Sequence, residues 1–136
     1  MRNYHFLFVA FLCQITALAN WAEVSTPTSE NLNKLEIIDN IAFCVGENGT
    51  LLKSTNFGDT WNLLNSGTSS TITSIKFVTA NLGFFTTTDG EIFKTQNGGS
   101  SWTAIKLQIL GALNCVDFLD ENTGLTAGDN GNIFRT

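Results

Sequence analysis

The fold of this chain is decided by the stretch Thr95-Gln96-Asn97-Gly98-Gly99-Ser100-Ser101-Trp102, because a similar stretch precedes it at a fixed interval. Ser54-Thr55-Asn56-Phe57-Gly58-Asp59-Thr60-Trp61 has the same order of hydroxyl, Asn, Gly, hydroxyl and Trp, and each position lies 41 residues earlier. A third copy begins at Thr136, the last residue. Self-similarity at a fixed period indicates a fold made of stacked copies of one unit.

The same period divides the chain into repeats. It relates Gly49 to Gly90 and Gly131, and the first repeat fits if it is one residue shorter, which places Trp21 40 residues before Trp61 and Ile37 40 residues before Phe77. We therefore predict three repeats of about 41 residues over 20–64, 65–105 and 106–136, the last incomplete.

Each repeat is predicted to contain four short antiparallel strands, a to d, because β-branched and aromatic runs alternate with Asn-Gly, Asp-Gly and Gly-Gly. Strand d is predicted to begin at each tryptophan, which includes a lone strand at Trp21–Val24. The remaining predicted strands are Leu35–Ile38, Thr73–Val78 and Asn114–Leu119 for a; Ile41–Val45, Gly83–Thr87 and Gly124–Ala127 for b; and Thr50–Ser54, Glu91–Thr95 and Asn132–Thr136 for c.

The connections between strands b and c carry the clearest turn signals. They are Asn48-Gly49, Asp89-Gly90 and Asn130-Gly131. These pairs tolerate positive φ at both central positions, as a type I′ hairpin requires. We predict three such hairpins.

An all-β fold follows, a β-propeller of about three blades, since four antiparallel strands every 40 to 50 residues are typical of a blade. Three blades are too few to close a ring, because propellers use about four to eight. Two alternatives remain open: the sequence is the first part of a longer propeller, or two copies pair into a six-bladed ring and each lends its Trp21 strand to the other.

The first 19 residues are predicted to be a signal peptide. Arg2 and His5 precede the apolar run 6–13, and Ala17-Leu18-Ala19 supplies a small-x-small cleavage site. The run is too short to span a bilayer, which takes about 20 residues. Lipidation at Cys13 is less favoured because Leu12 is bulky. We expect an exported protein, secreted, periplasmic or at the cell surface, without stable membrane insertion.

Composition excludes several function classes. The formal net charge is −5, and loss of residues 1–19 removes Arg2 with the only His and Tyr. The acidity opposes nucleic-acid binding, which needs Lys and Arg against phosphates. We predict no catalytic residues, no metal site and no cofactor. Cys44 and Cys115 lie at non-equivalent repeat positions, so two separate buried thiols are favoured over a disulfide.

The repeated loop between strands c and d resembles the Asp-box, or BNR repeat, Ser/Thr-x-Asp-x-Gly-x-Thr-Trp. Asn stands at the Asp position and can accept hydrogen bonds from nearby backbone N–H groups. A structural role is favoured over a sugar or calcium site, because Asn lacks the charge that a hard cation prefers. The residues of this structural loop are Ser54, Asn56, Gly58, Thr60 and Trp61, with Thr95, Asn97, Gly99, Ser101 and Trp102.

Whole blades are similar to those of photosystem II assembly and stability factor-like propellers. The likeness rests on Ile75-Lys76-Phe77, Gly83-Phe84-Phe85, Asp89-Gly90 and the segments 91–95 and 122–136. It implies a non-enzymatic scaffold that binds a protein partner. The alternative is a piece of a carbohydrate-active or carbohydrate-binding Asp-box propeller. Sialidase activity is excluded, because residues 20–136 keep one Arg and no Tyr, whereas sialidases need an arginine triad and a Tyr nucleophile.

Two charged residues are candidates for the channel wall. Lys76 and Asp117 occupy equivalent positions in strand a, the strand that lines a propeller channel. We predict that their opposite charges point into one channel, where a polar wall is favoured over a catalytic carboxylate.

Overall fold

The computed structural model describes residues 20–136. The predicted signal peptide over residues 1–19, Cys13 included, lies outside the described residues. Export therefore stays a prediction at this point.

Three antiparallel sheets succeed one another along the chain. Sheet 1 joins β1 to β4 and sheet 2 joins β5 to β8, each in sequence order, while sheet 3 has the order β11-β10-β9. The strands are β1 Leu32–Ile38, β2 Ile41–Gly46, β3 Leu51–Ser54, β4 Asn62–Leu63, β5 Ile72–Phe77, β6 Gly83–Thr87, β7 Glu91–Thr95, β8 Thr103–Lys106, β9 Leu113–Phe118, β10 Gly124–Gly128 and β11 Ile133–Arg135. The predicted all-β fold with propeller blades is confirmed as a partial propeller of three blades.

One predicted strand is wrong. Residues Trp21–Val24 form no strand, and the Trp21 side chain is 100% exposed. A d strand needs the open edge of a c strand, and in sheet 1 that edge of β3 is already paired with β4. The other predicted strands differ from the observed ones by at most three residues, at Leu32.

The predicted type I′ geometry is present in the first and third b–c turns. Asn48 and Gly49 have φ of 51° and 67°, and Asn130 and Gly131 have φ of 58° and 74°. The Thr50 N–H donates to the Glu47 carbonyl at 2.9 Å and closes the first turn. Asn-Gly is therefore used as the hairpin rule requires.

The second b–c turn differs from the prediction, because Asp89 does not adopt positive φ. Here the loop has three residues, and only Gly90 is left-handed, with φ 74°. The position before the turn explains the difference. It is Thr87 in sheet 2 but Gly46 in sheet 1, where a Cβ would lie 2.0 Å from the Asn31 carbonyl oxygen. A side chain at this position excludes that close approach, and the three-residue loop replaces it.

The core lies between sheets 1 and 2. Phe43 of β2 stacks on Phe77 of β5 with ring centroids 4.0 Å apart, and both are buried. Gly83 provides room for this contact, because a Cβ there would lie 2.6 Å from the Phe77 ring. Burial of such aromatic rings is the main favourable term that holds neighbouring blades together.

Candidate functional site

The first c–d loop is held by a small network of side-chain hydrogen bonds. Ser54 Oγ accepts from the Gly58 N–H at 2.9 Å and donates to Asn56 Oδ1 at 2.9 Å. Asn56 Oδ1 also accepts from the Thr60 N–H at 3.0 Å, and Asn56 Nδ2 donates to Thr60 Oγ1 at 3.0 Å. The side chains of Ser54, Asn56 and Thr60 thus bond to one another and to the backbone of the loop, as a short Asn side chain allows.

The second c–d loop repeats the network almost atom for atom. Thr95 Oγ1 accepts from the Gly99 N–H at 3.0 Å, and Asn97 Oδ1 accepts from the Ser101 N–H at 2.9 Å. Asn97 Nδ2 donates to Ser101 Oγ at 2.8 Å. Since the same bonds form at both loops, the geometry describes a closed corner of the blade and offers no free set of ligands.

The two tryptophans that end these loops are half-buried. Trp102 lies against Phe85 at 4.6 Å and meets Phe77 edge-on at 6.0 Å. Its buried Nε1 has no protein hydrogen-bond partner, and the aromatic rings of Phe85 and Phe77 hold the indole between the sheets.

Lys76 and Asp117, the pair predicted for the channel wall, lie close together, and Glu36 joins them. Lys76 Nζ lies 3.4 Å from Asp117 Oδ1 and 3.3 Å from Glu36 Oε1. The three residues stand on β5, β9 and β1, so one ammonium joins all three sheets at their innermost strands. We call Glu36, Lys76 and Asp117 the charged ladder.

Exposure and pKa differ along the charged ladder. The side chains of Glu36, Lys76 and Asp117 are 17%, 32% and 78% exposed. The hydrogen bond to Glu36 is the main cause that raises the pKa of Lys76. The Phe118 N–H, followed by Lys76, lowers the pKa of Asp117. Lys76 and Asp117 are therefore charged at neutral pH, and the formal charges of the three side chains sum to −1.

Sequence reasoning missed Glu36, although a signal for it was present. The first repeat is aligned by matching Ile37 with Phe77, and in this alignment Glu36 occupies the repeat position equivalent to Lys76 and Asp117.

The two cysteines are separate thiols, as predicted, but they are not both buried. Cys44 is buried, and burial raises the pKa of its thiol. Cys115 is exposed. The equivalent residue of sheet 2 is Ser74, which is covered by sheet 3 because its Oγ accepts from the Val116 N–H at 3.4 Å. Within residues 20–136 no further sheet covers Cys115 in the same way.

Other site classes have little support in the part of the chain that the structure describes. Residues 20–136 contain no cluster of three or more His, Cys, Asp or Glu that could hold a metal ion. Over the same range, no helix has the length and apolar character needed to cross a membrane.

Comparison with protein families gives one match that covers most of the chain. A model of the family described as "Photosynthesis system II assembly factor YCF48" matches residues 13–136. No curated protein matches the chain.

Solved structures show the same fold at low sequence identity. The structure described as "YCF48 bound to D1 peptide" is similar with a TM-score of 0.74 and 24% identity, over 83% of this chain and 40% of the other. "YCF48 from Cyanidioschyzon merolae" is similar with a TM-score of 0.70 and 17% identity, over 85% and 40%. The computationally designed Ika4 protein has a TM-score of 0.64 and 18% identity, over 77% and 64%. The chain thus spans 40% of the length of the two YCF48 structures.

Proposed function

This chain belongs to the photosynthesis system II assembly factor YCF48 family, and from that premise we propose that it is a protein-binding scaffold and not an enzyme. The observation that carries the proposal is the family match over residues 13–136. A similar structure that holds YCF48 with a D1 peptide supports a polypeptide as the partner.

We place the partner on the charged ladder. Asp117 presents an exposed carboxylate there, and its partner Lys76 is already engaged by Glu36. A net charge of −5 adds an attractive field for a basic segment, since complementary charge steers association. The preferred partner is therefore a peptide or protein surface that carries Lys or Arg.

The experiment measures binding of a fluorescently labelled D1 peptide to the full chain by anisotropy. Asp117→Asn is expected to weaken binding about 2- to 5-fold, as one exposed ion pair is worth up to about 1 kcal/mol. Asp59→Asn is the matched control, because Asp59 is also exposed but lies in the first c–d loop. No saturable binding up to about 1 mM peptide, where affinity falls to about −4 kcal/mol, would contradict the D1-type partner. Equal binding by both variants would contradict the charged ladder as the site.

We also propose that a second copy of the chain is a partner. The outer faces of sheets 1 and 3 expose Ile37 (63%) and Leu125 (54%). By the repeat spacing these residues correspond to Phe77 and Phe84, which lie in the interfaces between neighbouring sheets. Two copies joined head to tail, with the Leu125 face of each against the Ile37 face of the other, would form a six-bladed ring.

Export completes the proposal. It is supported by the sequence Arg2 to Ala19, which has a basic start, an apolar run and a small-x-small site. Mass spectrometry of the chain produced in an exporting bacterial host is expected to show loss of residues 1–19. Ala19→Lys is expected to block the cleavage, while Ala22→Lys, just past the site, leaves it unchanged. A fully retained N-terminus in the wild-type protein would contradict export by this signal.

A further inference from the structure

The two interfaces between sheets are equivalent position by position. Phe43 stacks on Phe77 at 4.0 Å and 11°, and Phe84 stacks on Phe118 at 4.1 Å and 16°. Both partners of the second stack lie 41 residues after those of the first. What fills one interface is therefore a guide to what the other accommodates.

The interfaces differ in how they are filled. Between sheets 1 and 2, Trp102 and Phe85 pack at 4.6 Å. Between sheets 2 and 3, Thr126 stands in the position of Phe85, and a cavity of about 230 Å³ lies beside it. Its lining is mainly apolar and includes Phe84, Ile92, Ile105, Val116 and Phe134. This cavity corresponds to the place that the Trp102 indole occupies in the preceding interface.

The edge of sheet 3 next to this cavity is open. Strand β11 pairs with β10 on one side, and among residues 20–136 no strand pairs with its other side. In sheets 1 and 2 the corresponding edge carries strands β4 and β8, each of which begins one residue after a tryptophan. An edge of unpaired N–H and C=O groups accepts an added strand.

The segment 20–24 has the sequence that such a strand needs. Trp21 and Val24 stand at the positions of Trp102 and Ile105 in the repeat. Trp21 is 100% exposed and Val24 45% exposed, so the chain does not use its own copy. A tryptophan side chain buries about 150–250 Å² when seated, which makes its full exposure unfavourable.

We propose that residues Asn20–Val24 of a second copy add to β11 as a fourth strand and place Trp21 in the cavity between sheets 2 and 3. The inference rests on the self-association proposed above and names its anchor. Two copies exchange two such strands, one in each direction, and Leu125 of each then meets Ile37 of the other.

Light scattering of the full chain tests the anchor. The wild-type protein is expected to have twice the monomer mass, and Trp21→Ala is expected to weaken dimerisation about 30-fold or more, the usual cost of a tryptophan anchor. Phe57→Ala is the matched control, because Phe57 is an aromatic residue that is 78% exposed and lies away from the cavity. It is expected to leave the dimer intact.

A mixing experiment separates docking from folding. Thr126→Phe fills the cavity and is expected to give a folded monomer, as judged by circular dichroism. When this variant is mixed with Trp21→Ala, one intact anchor and one intact cavity remain, so a dimer is expected to return. A Trp21→Ala variant with the wild-type dimer mass would overturn the anchor but leave self-association standing. A wild-type monomer at all concentrations would overturn both, and D1-peptide binding, measured separately, would remain unaffected.

Discussion

The clearest quantitative prediction concerns Asn97, the residue around which the second c–d loop closes. Asn97→Ala removes two acceptor contacts, from Thr95 Oγ1 at 2.9 Å and the Ser101 N–H at 2.9 Å, and one donor contact to Ser101 Oγ at 2.8 Å. Each bond contributes about 0.5–1.5 kcal/mol net. Because Ser101 is exposed and water replaces part of this network, we expect a loss of about 2 kcal/mol in the free energy of unfolding.

Asn97→Asp is the informative companion. A carboxylate accepts at all three contacts if the Ser101 hydroxyl donates to it, so we expect a change within about 0.5 kcal/mol. Urea unfolding followed by tryptophan fluorescence measures both variants, and the melting temperature should fall by about 7–8 °C for Asn97→Ala alone. A loss in Asn97→Asp as large as in Asn97→Ala would refute the hydrogen-bond explanation, and so would a loss below about 0.5 kcal/mol in Asn97→Ala.

Three further predictions follow from single residues. Phe57 has φ 57° where the second loop has Gly98, so Phe57→Gly should stabilise the chain by about 0.5–1 kcal/mol in urea unfolding; a loss would show that no strain is relieved. The hydrogen bond from the Ala112 N–H lowers the pKa of Asp129 in the folded chain. The ionised Asp129 therefore stabilises the fold fully above the unfolded-state pKa of about 3.9, and this stabilisation is lost as the pH falls through the lower folded-state pKa. Melting temperature should therefore be flat from about pH 7 to 5 and fall below about 4, with a smaller fall in Asp129→Asn; equal falls would exclude this carboxylate as a cause. A thiol reagent should modify Cys115 in the folded chain and Cys44 only after unfolding, and mass spectrometry that finds both labelled at equal rates would contradict this burial.

Much of the fold was predictable because the turn residues and the alternating apolar residues recur at the same spacing of 41 residues. The Asn-Gly turns and the alternating apolar residues placed nine strands within three residues of their observed ends. The failures have physical causes outside that local pattern. In the second turn, Thr87 stands where the first turn has Gly46, and its side chain excludes the close approach that Gly46 allows. Trp21 lacks a free c-strand edge in its own sheet.

The candidate site was only partly predictable, because it depends on contacts between sheets. The repeat spacing predicted that Lys76 and Asp117 lie close together, but it does not predict how exposed each side chain is. Glu36 and Asp117 both stand on an end sheet, yet Glu36 is 17% and Asp117 78% exposed. Likewise, Cys115 is exposed because its sheet has a covered face on one side only.

The matched aromatic stacks have a consequence for how such chains grow. Sheet 2 presents Phe77 to the sheet before it and Phe84 to the sheet after it. The Phe84 face of one copy of sheet 2 could therefore stack on the Phe77 face of a second copy. A tandem copy of residues 65–105 inserted after residue 105 would meet compatible surfaces on both sides. Duplication of one whole repeat would therefore preserve an aromatic stack at each new interface between sheets.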